Sequence, residues 1–214
     1  MVFLELALTF VIESLIDKPL IKKVMPFDTP TNYPGIIIRM NSQSDSVMFP
    51  TLVNQALAQI ANTTTGNKLL QGIANRAGQA RFGYTVCIQR ANMNYNPSCE
   101  TKWEGTNVAK RADETNATTR GAGSVTAIKY NPNMINTPDG NRPSWIGLAH
   151  ELIHAYYNLK GKGLGSGTIM NVNGAVEREE LATVGLGPGP HRSITENKIR
   201  AEAGLPLRTT YGGK

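Results

Sequence analysis

Apolar residues recur along the chain with two different spacings, and the spacing changes from one short segment to the next. Alternation of apolar and polar residues is typical of strands, whereas apolar residues three and four apart mark one face of a helix. The polar stretch 91–121, rich in Asn, Thr and Gly, predicts loops. The two spacings predict three strands, at 33–40, 82–90 and 124–130, and two helices, at 50–61 and 66–77, the second capped by Thr64 or Thr65.

A longer helix is predicted after Arg142-Pro143, from Ser144 to a stop at Gly161 or Gly163. His150 and His154 lie one turn apart on the side of the helix opposite its main apolar stripe, and further apolar residues flank them. The helix is therefore expected to be buried on both sides. The stripe that should face the core consists of Trp145, Leu148, Leu152, Ala155 and Leu159.

Short helices separated by glycines are predicted after this long helix. Ser193 and Glu196 have the spacing of a capping box, in which the two side chains bond the first turn of a helix, and Gly204 ends that helix. Strands come early and helices late, which predicts an α+β fold. We expect one main domain over residues 31–214 and an N-terminal segment over residues 1–30.

The N-terminal segment begins with an apolar run, MVFLELALTFVIESLIDKPLIKK, at residues 1–23. It lacks a basic start and a small-residue cleavage site, and Glu5 interrupts the run, so it does not match a signal peptide. It is also too short to cross a bilayer, so no stable membrane insertion is expected. Two interpretations are open: an amphipathic helix that packs on the domain, or a segment for secretion or for docking a secretion chaperone.

The composition predicts a globular domain with a basic surface. The formal net charge is +6, but Lys and Arg are scattered along the chain instead of forming one stripe, which argues against a nucleic-acid binder. Cys87 and Cys99 are too few for a disulfide framework, and we expect them to remain thiols.

The chain has three histidines, and two of them belong to a single His-Glu-x-x-His pattern within LAHELIHAYYN. On a helix, the four-residue spacing brings the rings of His150 and His154 close enough to bind one zinc ion. Glu151 lies beside them and is placed to take a proton from the attacking water. The alternative is a pair of structural histidines that other buried partners satisfy.

A catalytic zinc site needs a third protein ligand. The segment NGAVEREELATVGLG predicts a short helix that ends at Gly185 and carries three acids. Two of them, three residues apart, share a helix face, so one acid can bind the metal while the other supports a ligating histidine. Acids in a first turn also arise simply because they interact well with the helix dipole. The candidates are Glu177, Glu179 and Glu180.

These motifs resemble two groups of zinc proteases. HELIHAYYNLKG followed by EELATVG is similar to the light chains of clostridial neurotoxins, and with the tail TENKIRAEAGLPLRTTYGG it is closer to the NleD-like zinc endopeptidases, which are bacterial type III secretion effectors. The resemblance covers residues 60–213 and is densest after His150. It implies a zincin-like fold, in which a small mixed sheet packs on the His-Glu-x-x-His helix beside a helical C-terminal part.

The resemblance also implies roles for particular residues. By residue match Glu180 becomes the third zinc ligand, which leaves Glu177 to support a ligating histidine and Glu179 to point elsewhere. Arg208 and Tyr211 match an Arg-x-x-Tyr pair that flanks the zinc and stabilises the oxyanion. In zincin folds an edge strand binds the substrate backbone, and residues 124–130 are the candidate.

The implied biology is a protease secreted from a bacterium and delivered into the cytoplasm of a host cell. Its substrate would be a host signalling protein, with mitogen-activated protein kinases as the precedent. Two other readings remain open. One is a zinc hydrolase or toxin with a different substrate class, and the other is a nonenzymatic basic binding module in which zinc is structural.

Overall fold

A computed structural model of the protein describes residues 27–40, 48–77, 86–91, 98–101, 123–137, 140–164, 168–171, 174–187 and 191–211. The apolar run at residues 1–23 lies outside these ranges, so both interpretations of it stay predictions. The division at residue 30 also stays a prediction, although the first strand, Phe27–Pro30, falls before it and pairs into the sheet.

The central feature is a five-stranded mixed sheet. Its three inner strands are parallel, and the strand at each end is antiparallel to its neighbour. Ile38, Ile88 and Ile128 stand in register across the parallel strands and are fully buried, as expected for strands covered on both faces. The strand order is β1-β2-β3-β5-β4, with β1 Phe27–Pro30, β2 Ile36–Met40, β3 Val86–Arg90, β4 Ser98–Thr101 and β5 Thr126–Tyr130.

Two strands of this sheet, β1 and β4, and the position of a third strand were not foreseen. Strand β4 lies within the polar stretch 91–121, where only loops were expected. Its sequence, SCET, has no apolar alternation, so its extended conformation depends on antiparallel pairing with β5. Because β5 is bonded to β3 on one side and to β4 on the other, the prediction that residues 124–130 form an edge strand is wrong.

Two helices, α1 (Met48–Ala61) and α2 (Thr64–Ala77), connect β2 to β3 and confirm the two early helices. Each contributes one apolar stripe to a core that it shares with the sheet and the later long helix. This division follows from the sequence, since both helices have apolar residues three and four positions apart. The buried apolar residues are Phe49, Val53, Ala56, Leu57 and Ile60 from α1 and Leu69, Leu70 and Ile73 from α2.

The cap of α2 differs from the prediction. The hydroxyl of Thr63 accepts a hydrogen bond from the backbone N–H of Gly66 at 3.0 Å, so Thr63 caps the helix in place of Thr64 or Thr65. The hydroxyl of Thr65 instead donates to the Glu202 carboxylate at 2.6 Å. This contact ties α2 to the C-terminal helix.

The predicted long helix is confirmed as α3, Ser144–Leu159, with its bounds close to those expected. It packs against α1, α2, β4 and β5, and it is buried on both sides. Gly161 follows it with a φ of 62°, a left-handed conformation that glycine adopts without strain. The burial of this helix forces the polar groups on its second face to find partners within the protein.

The chain after α3 forms one pair of antiparallel strands and two short helices. Two predictions for this part of the chain are wrong. Glu177 is the last residue of a strand, so it does not share a helix face with Glu180. The last helix is capped by Thr195, whose hydroxyl accepts from the N–H of Lys198, and the predicted Ser193–Glu196 capping box is wrong. The elements are β8 Thr168–Asn171, β9 Gly174–Glu177, α4 Arg178–Val184 and α5 Glu196–Glu202, after an earlier β6–β7 pair at Asn136–Thr137 and Gly140–Asn141.

Cys87 lies on β3 and Cys99 on β4, with β5 between these strands. Two strand spacings separate their Cα atoms by about 10 Å, whereas a disulfide needs less than about 7 Å. The expectation of thiols agrees with this arrangement. Within the described residues, none of the helices is both long and apolar enough to cross a membrane.

Candidate metal centre

The two histidines of α3 and one glutamate of α4 converge on a single point. His150 Nε2 lies 2.9 Å from Glu180 Oε2 and 3.1 Å from His154 Nε2, and His154 Nε2 lies 3.5 Å from Glu180 Oε1. Their potential ligand atoms all lie within 4.8 Å of one another. The helix places the two rings on one face, and α4 packs against that face with Glu180 directed to it.

The spacing of these three atoms fits a zinc ion. Nitrogen and oxygen ligands of zinc lie about 2.1 Å from the ion, so two ligand atoms of a tetrahedral site are about 3.4 Å apart. The three measured separations, 2.9, 3.1 and 3.5 Å, lie around that value. Two imidazoles and one carboxylate also form a donor set typical of catalytic zinc, which keeps a fourth position for water or substrate.

The electrostatics of the three groups favour a cation between them. Burial opposes protonation of His150 and His154, yet neighbouring carboxylates together outweigh it and raise the pKa of both rings. These are Glu180 and Glu196 at His150, and Glu180 and Glu179 at His154. Burial would likewise raise the pKa of Glu180, but the two histidines hold it well below its usual range. The carboxylate thus stabilises positive charge where the ligand atoms meet, and a divalent cation supplies that charge without protons.

Glu151 follows His150 on α3 and is buried, with 6% of its surface exposed. Burial raises the pKa of its carboxyl group, against the opposing influence of His150 and His154. Since the ligand atoms that converge belong to the two histidines and Glu180, Glu151 lies beside the centre and stays outside the ligand set.

Glu196, a residue that the sequence assigned only to a helix cap, lies behind His150. Its Oε2 accepts from His150 Nδ1 at 2.8 Å and from Arg208 at 3.3 Å, and its Oε1 accepts from Arg200 at 2.6 Å. Burial opposes ionisation, but His150, Arg208 and Arg142 hold the pKa of Glu196 below its usual range. An ionised acceptor at Nδ1 keeps the proton on that nitrogen and leaves Nε2 free to face a metal.

Glu179 and Thr183 lie behind the other histidine. Glu179 Oε1 is 3.2 Å and Thr183 Oγ1 is 3.3 Å from His154 Nδ1. The expectation that Glu179 points away from the centre is therefore wrong, because its carboxylate contacts His154, a candidate ligand. The helix that carries it begins at Arg178, which leaves Glu177 in β9.

The two tail residues lie at the same centre. The ring of Tyr211 is nearly parallel to that of His150 at a centroid distance of 6.1 Å, and the Arg208 guanidinium lies 4.5 Å from the centre of the Tyr211 ring. Two hydrogen bonds between Asn197 and the backbone of Arg208 hold the tail against α5. Burial, followed by the charge of Glu180 and a hydrogen bond to it, raises the pKa of Tyr211, so its phenol remains a donor.

All six residues proposed from the sequence thus meet at one place: His150, Glu151, His154, Glu180, Arg208 and Tyr211. His191 is exposed and was expected to have no role there. The supporting residues Glu196, Thr183 and Arg192 were not foreseen. The sequence did show that Glu196 lies in the first turn of a helix. A capping box explained that position locally, so no distant partner was sought.

A protein-family comparison agrees with this geometry. The model of the peptidase M91 family, described as an effector protein, matches residues 38–211. That range contains every described strand and helix except β1 and the start of β2. No curated protein sequence matches the chain at a significant level.

Solved structures show the same fold. The light chain of botulinum neurotoxin type G aligns with a TM-score of 0.53 and 15% identity, over 84% of this chain and 60% of that one. The botulinum neurotoxin serotype C1 light chain protease aligns with a TM-score of 0.52 and 15% identity, over 74% of this chain and 55% of that one. The chain thus spans about 60% of the type G light chain, and the predicted zincin-like α+β fold is confirmed.

Proposed function

The chain belongs to the peptidase M91 family of effector proteins, and we propose that it is a zinc-dependent endopeptidase whose ligands are His150, His154 and Glu180. The family match confirms the resemblance to the NleD-like effectors and the prediction of a metallopeptidase. Membership in a peptidase family also speaks against a nonenzymatic binding module.

One observation carries the proposal. The potential ligand atoms of two histidines and one glutamate, which come from two helices, lie within 4.8 Å of one another at spacings suited to zinc. The two imidazoles also have ionised or hydroxyl acceptors behind them, at Glu196, Glu179 and Thr183. Such partners orient ligating histidines and increase their basicity.

The mechanism assigns separate tasks to the residues of the site. Zinc, when bound, acts as a Lewis acid that polarises the scissile carbonyl and lowers the pKa of water. Glu151 accepts a proton from the attacking water and delivers it to the leaving amine. Burial of Glu151 supports this assignment, because a raised pKa makes its carboxylate a stronger base towards the attacking water than an exposed carboxylate is.

Tyr211 and Arg208 are assigned to the oxyanion. A protonated phenol whose ring lies beside His150, with a guanidinium against it, gives donors where negative charge develops on the carbonyl oxygen. Arg208 also donates to Glu196, so this tail residue couples the oxyanion donors to the support of His150.

The substrate backbone is assigned to β4 in place of β5. Among the described strands β4 stands at one end of the sheet and packs near α3, so an extended peptide that paired with its outer edge would pass close to the centre. A zinc protease site that recognises substrate backbone in this way suits a protein substrate.

The proposed substrate is a host-cell signalling protein. An effector acts in another cell, and the resemblance to NleD-like effectors points to mitogen-activated protein kinases and to delivery into the host cytoplasm. A secretion chaperone that docks on the N-terminal residues is part of the same proposal.

The test is mass spectrometry of new N-termini in a host-cell lysate incubated with the protein. We expect a small set of cleavage sites in folded proteins, which disappears when a chelator removes zinc and returns when zinc is restored. Cleavage of short peptides alone would assign the protein to another class of zinc hydrolase. A lysate without any zinc-dependent cleavage would contradict the proposed activity.

A further inference from the structure

We propose that Arg192 is a positioning residue for the metal centre: through Glu179 and Thr183 it holds His154 with Nδ1 protonated and Nε2 directed to the metal. The inference rests on the proposed zinc site and adds to it a residue outside the ligand set. It also accounts for the contacts that join α3, α4 and the segment after α3 behind His154.

The Nδ1 atom of His154, which is directed away from the metal centre, faces one turn of α4. Glu179 and Thr183 are four residues apart, so their side chains lie one above the other on the helix surface. Their oxygens lie 3.2 and 3.3 Å from the same Nδ1 atom. A proton on Nδ1 can therefore be donated to either oxygen, whereas a lone pair there would face two oxygens that carry negative charge or lone pairs.

A single nitrogen of Arg192 contacts both acceptors. Its Nη1 donates to Glu179 Oε1 at 2.7 Å and to Thr183 Oγ1 at 2.9 Å, which accounts for both hydrogens of that nitrogen. Its Nη2 donates to Glu179 Oε2 at 2.7 Å and completes a two-bond fork. The guanidinium thus fixes the plane of the carboxylate and the position of the hydroxyl oxygen together, as a single ammonium group would not.

Arg192 is itself held in place from several sides. Its side chain is 3% exposed, and its guanidinium lies 4.0 Å from the centre of the ring of Tyr157, which follows His154 on α3 by three residues. Its Nη2 also donates to the carbonyl of Lys162, and the N–H of Leu164 donates to Glu179 Oε2 at 2.7 Å. The fork therefore joins the metal helix, α4 and the segment after α3.

Stability alone does not account for this arrangement. Burying a charged pair has a desolvation cost that its attraction often only offsets, so an apolar pair of similar volume serves packing equally well. The ionic fork differs from an apolar pair because it fixes the oxygens of Glu179 and Thr183 next to His154 Nδ1. Arg39 and Asp28 form a fork of the same type on strands β2 and β1, with two bonds of 2.8 Å, but it is exposed to solvent. It provides a comparison away from the centre.

The test compares Arg192→Lys with Arg39→Lys. Each substitution keeps the positive charge and removes one fork. Zinc affinity is measured by competition with a chelator, and the thermal unfolding of the metal-free proteins is measured in parallel. We expect Arg192→Lys to weaken zinc binding by about tenfold or more, the usual effect of losing a residue that orients a ligand, and Arg39→Lys to leave it unchanged. Equal zinc affinities in the two variants would overturn the proposal.

A double-mutant cycle separates positioning from general destabilisation. If Arg192 acts through Glu179, the double variant Arg192→Lys/Glu179→Gln should bind zinc about as tightly as the single variant with the lower zinc affinity. Additive losses would mean that the two residues affect the site independently, which would overturn the proposal.

Thr183→Val provides a test that leaves the buried fork intact, should Arg192→Lys not fold. Removing this acceptor should weaken zinc binding about threefold, the scale of one hydrogen bond. Unchanged affinity in both Thr183→Val and Glu179→Gln would overturn the proposal. A parent protein that does not bind zinc at all would instead contradict the zinc site, so the two failures are distinguishable.

Discussion

Replacing Glu151 with glutamine is expected to reduce peptide hydrolysis about a thousandfold, within the usual range for loss of a general base. Glutamine has nearly the same shape but cannot accept the proton of the attacking water. Because the converging ligand atoms belong to other residues, zinc content should not change. The measurement is kcat/KM on a cleaved substrate, together with zinc content and the thermal midpoint of both proteins.

Glu202→Gln is the matched control for this change. Glu202 binds the backbone N–H and the hydroxyl of Thr65 through its carboxylate and lies outside the centre, so its variant should hydrolyse at the parent rate. If Glu151→Gln cleaves as fast as the parent, Glu151 is not the base. If it loses zinc along with activity, its role is structural.

Replacing Tyr211 with phenylalanine should reduce kcat about a hundredfold, the scale of one lost oxyanion donor. The loss should appear mainly in kcat, because the oxyanion charge develops only in the transition state. Zinc content should stay at the parent value, since the phenol is not in the converging ligand set. Steady-state kinetics and elemental analysis of the variant check both statements.

Tyr156→Phe removes a hydroxyl that accepts from Lys160 at 3.0 Å on α3, away from the ligand residues, and it should leave kcat unchanged. Suppose instead that Tyr211→Phe keeps the parent kcat and only lowers the thermal midpoint. The tail would then be a clasp that stabilises the fold, and the assignment of Tyr211 and Arg208 to the oxyanion would fail while the zinc site could stand.

The parts of the site that sequence predicted are those fixed by local spacing. His150 and His154 are four residues apart on one helix, so the helix alone determines their proximity. The bounds of α3 followed from Pro143, Gly161 and the apolar periodicity between them. Glu180 came from a motif resemblance, because nothing in the local pattern distinguishes it from Glu179.

The parts that sequence did not predict depend on distant partners. Glu196 meets His150 across 46 residues, and Arg192 meets Glu179 across 13 residues. A buried carboxylate is indistinguishable in sequence from an exposed one, and a cap offered a sufficient local explanation for Glu196. Strand β4 was missed for the same reason, since its polar sequence becomes a strand only by pairing with β5.

The most direct test of the zinc site is elemental analysis of protein purified without added metal, alongside Glu180→Ala and Glu179→Ala. The account predicts about one zinc per parent chain, most of it lost in Glu180→Ala because a ligand is removed, and much of it retained in Glu179→Ala because Glu179 supports His154 without being a ligand itself. A parent protein that is folded, free of zinc and unable to take up added zinc would contradict the account.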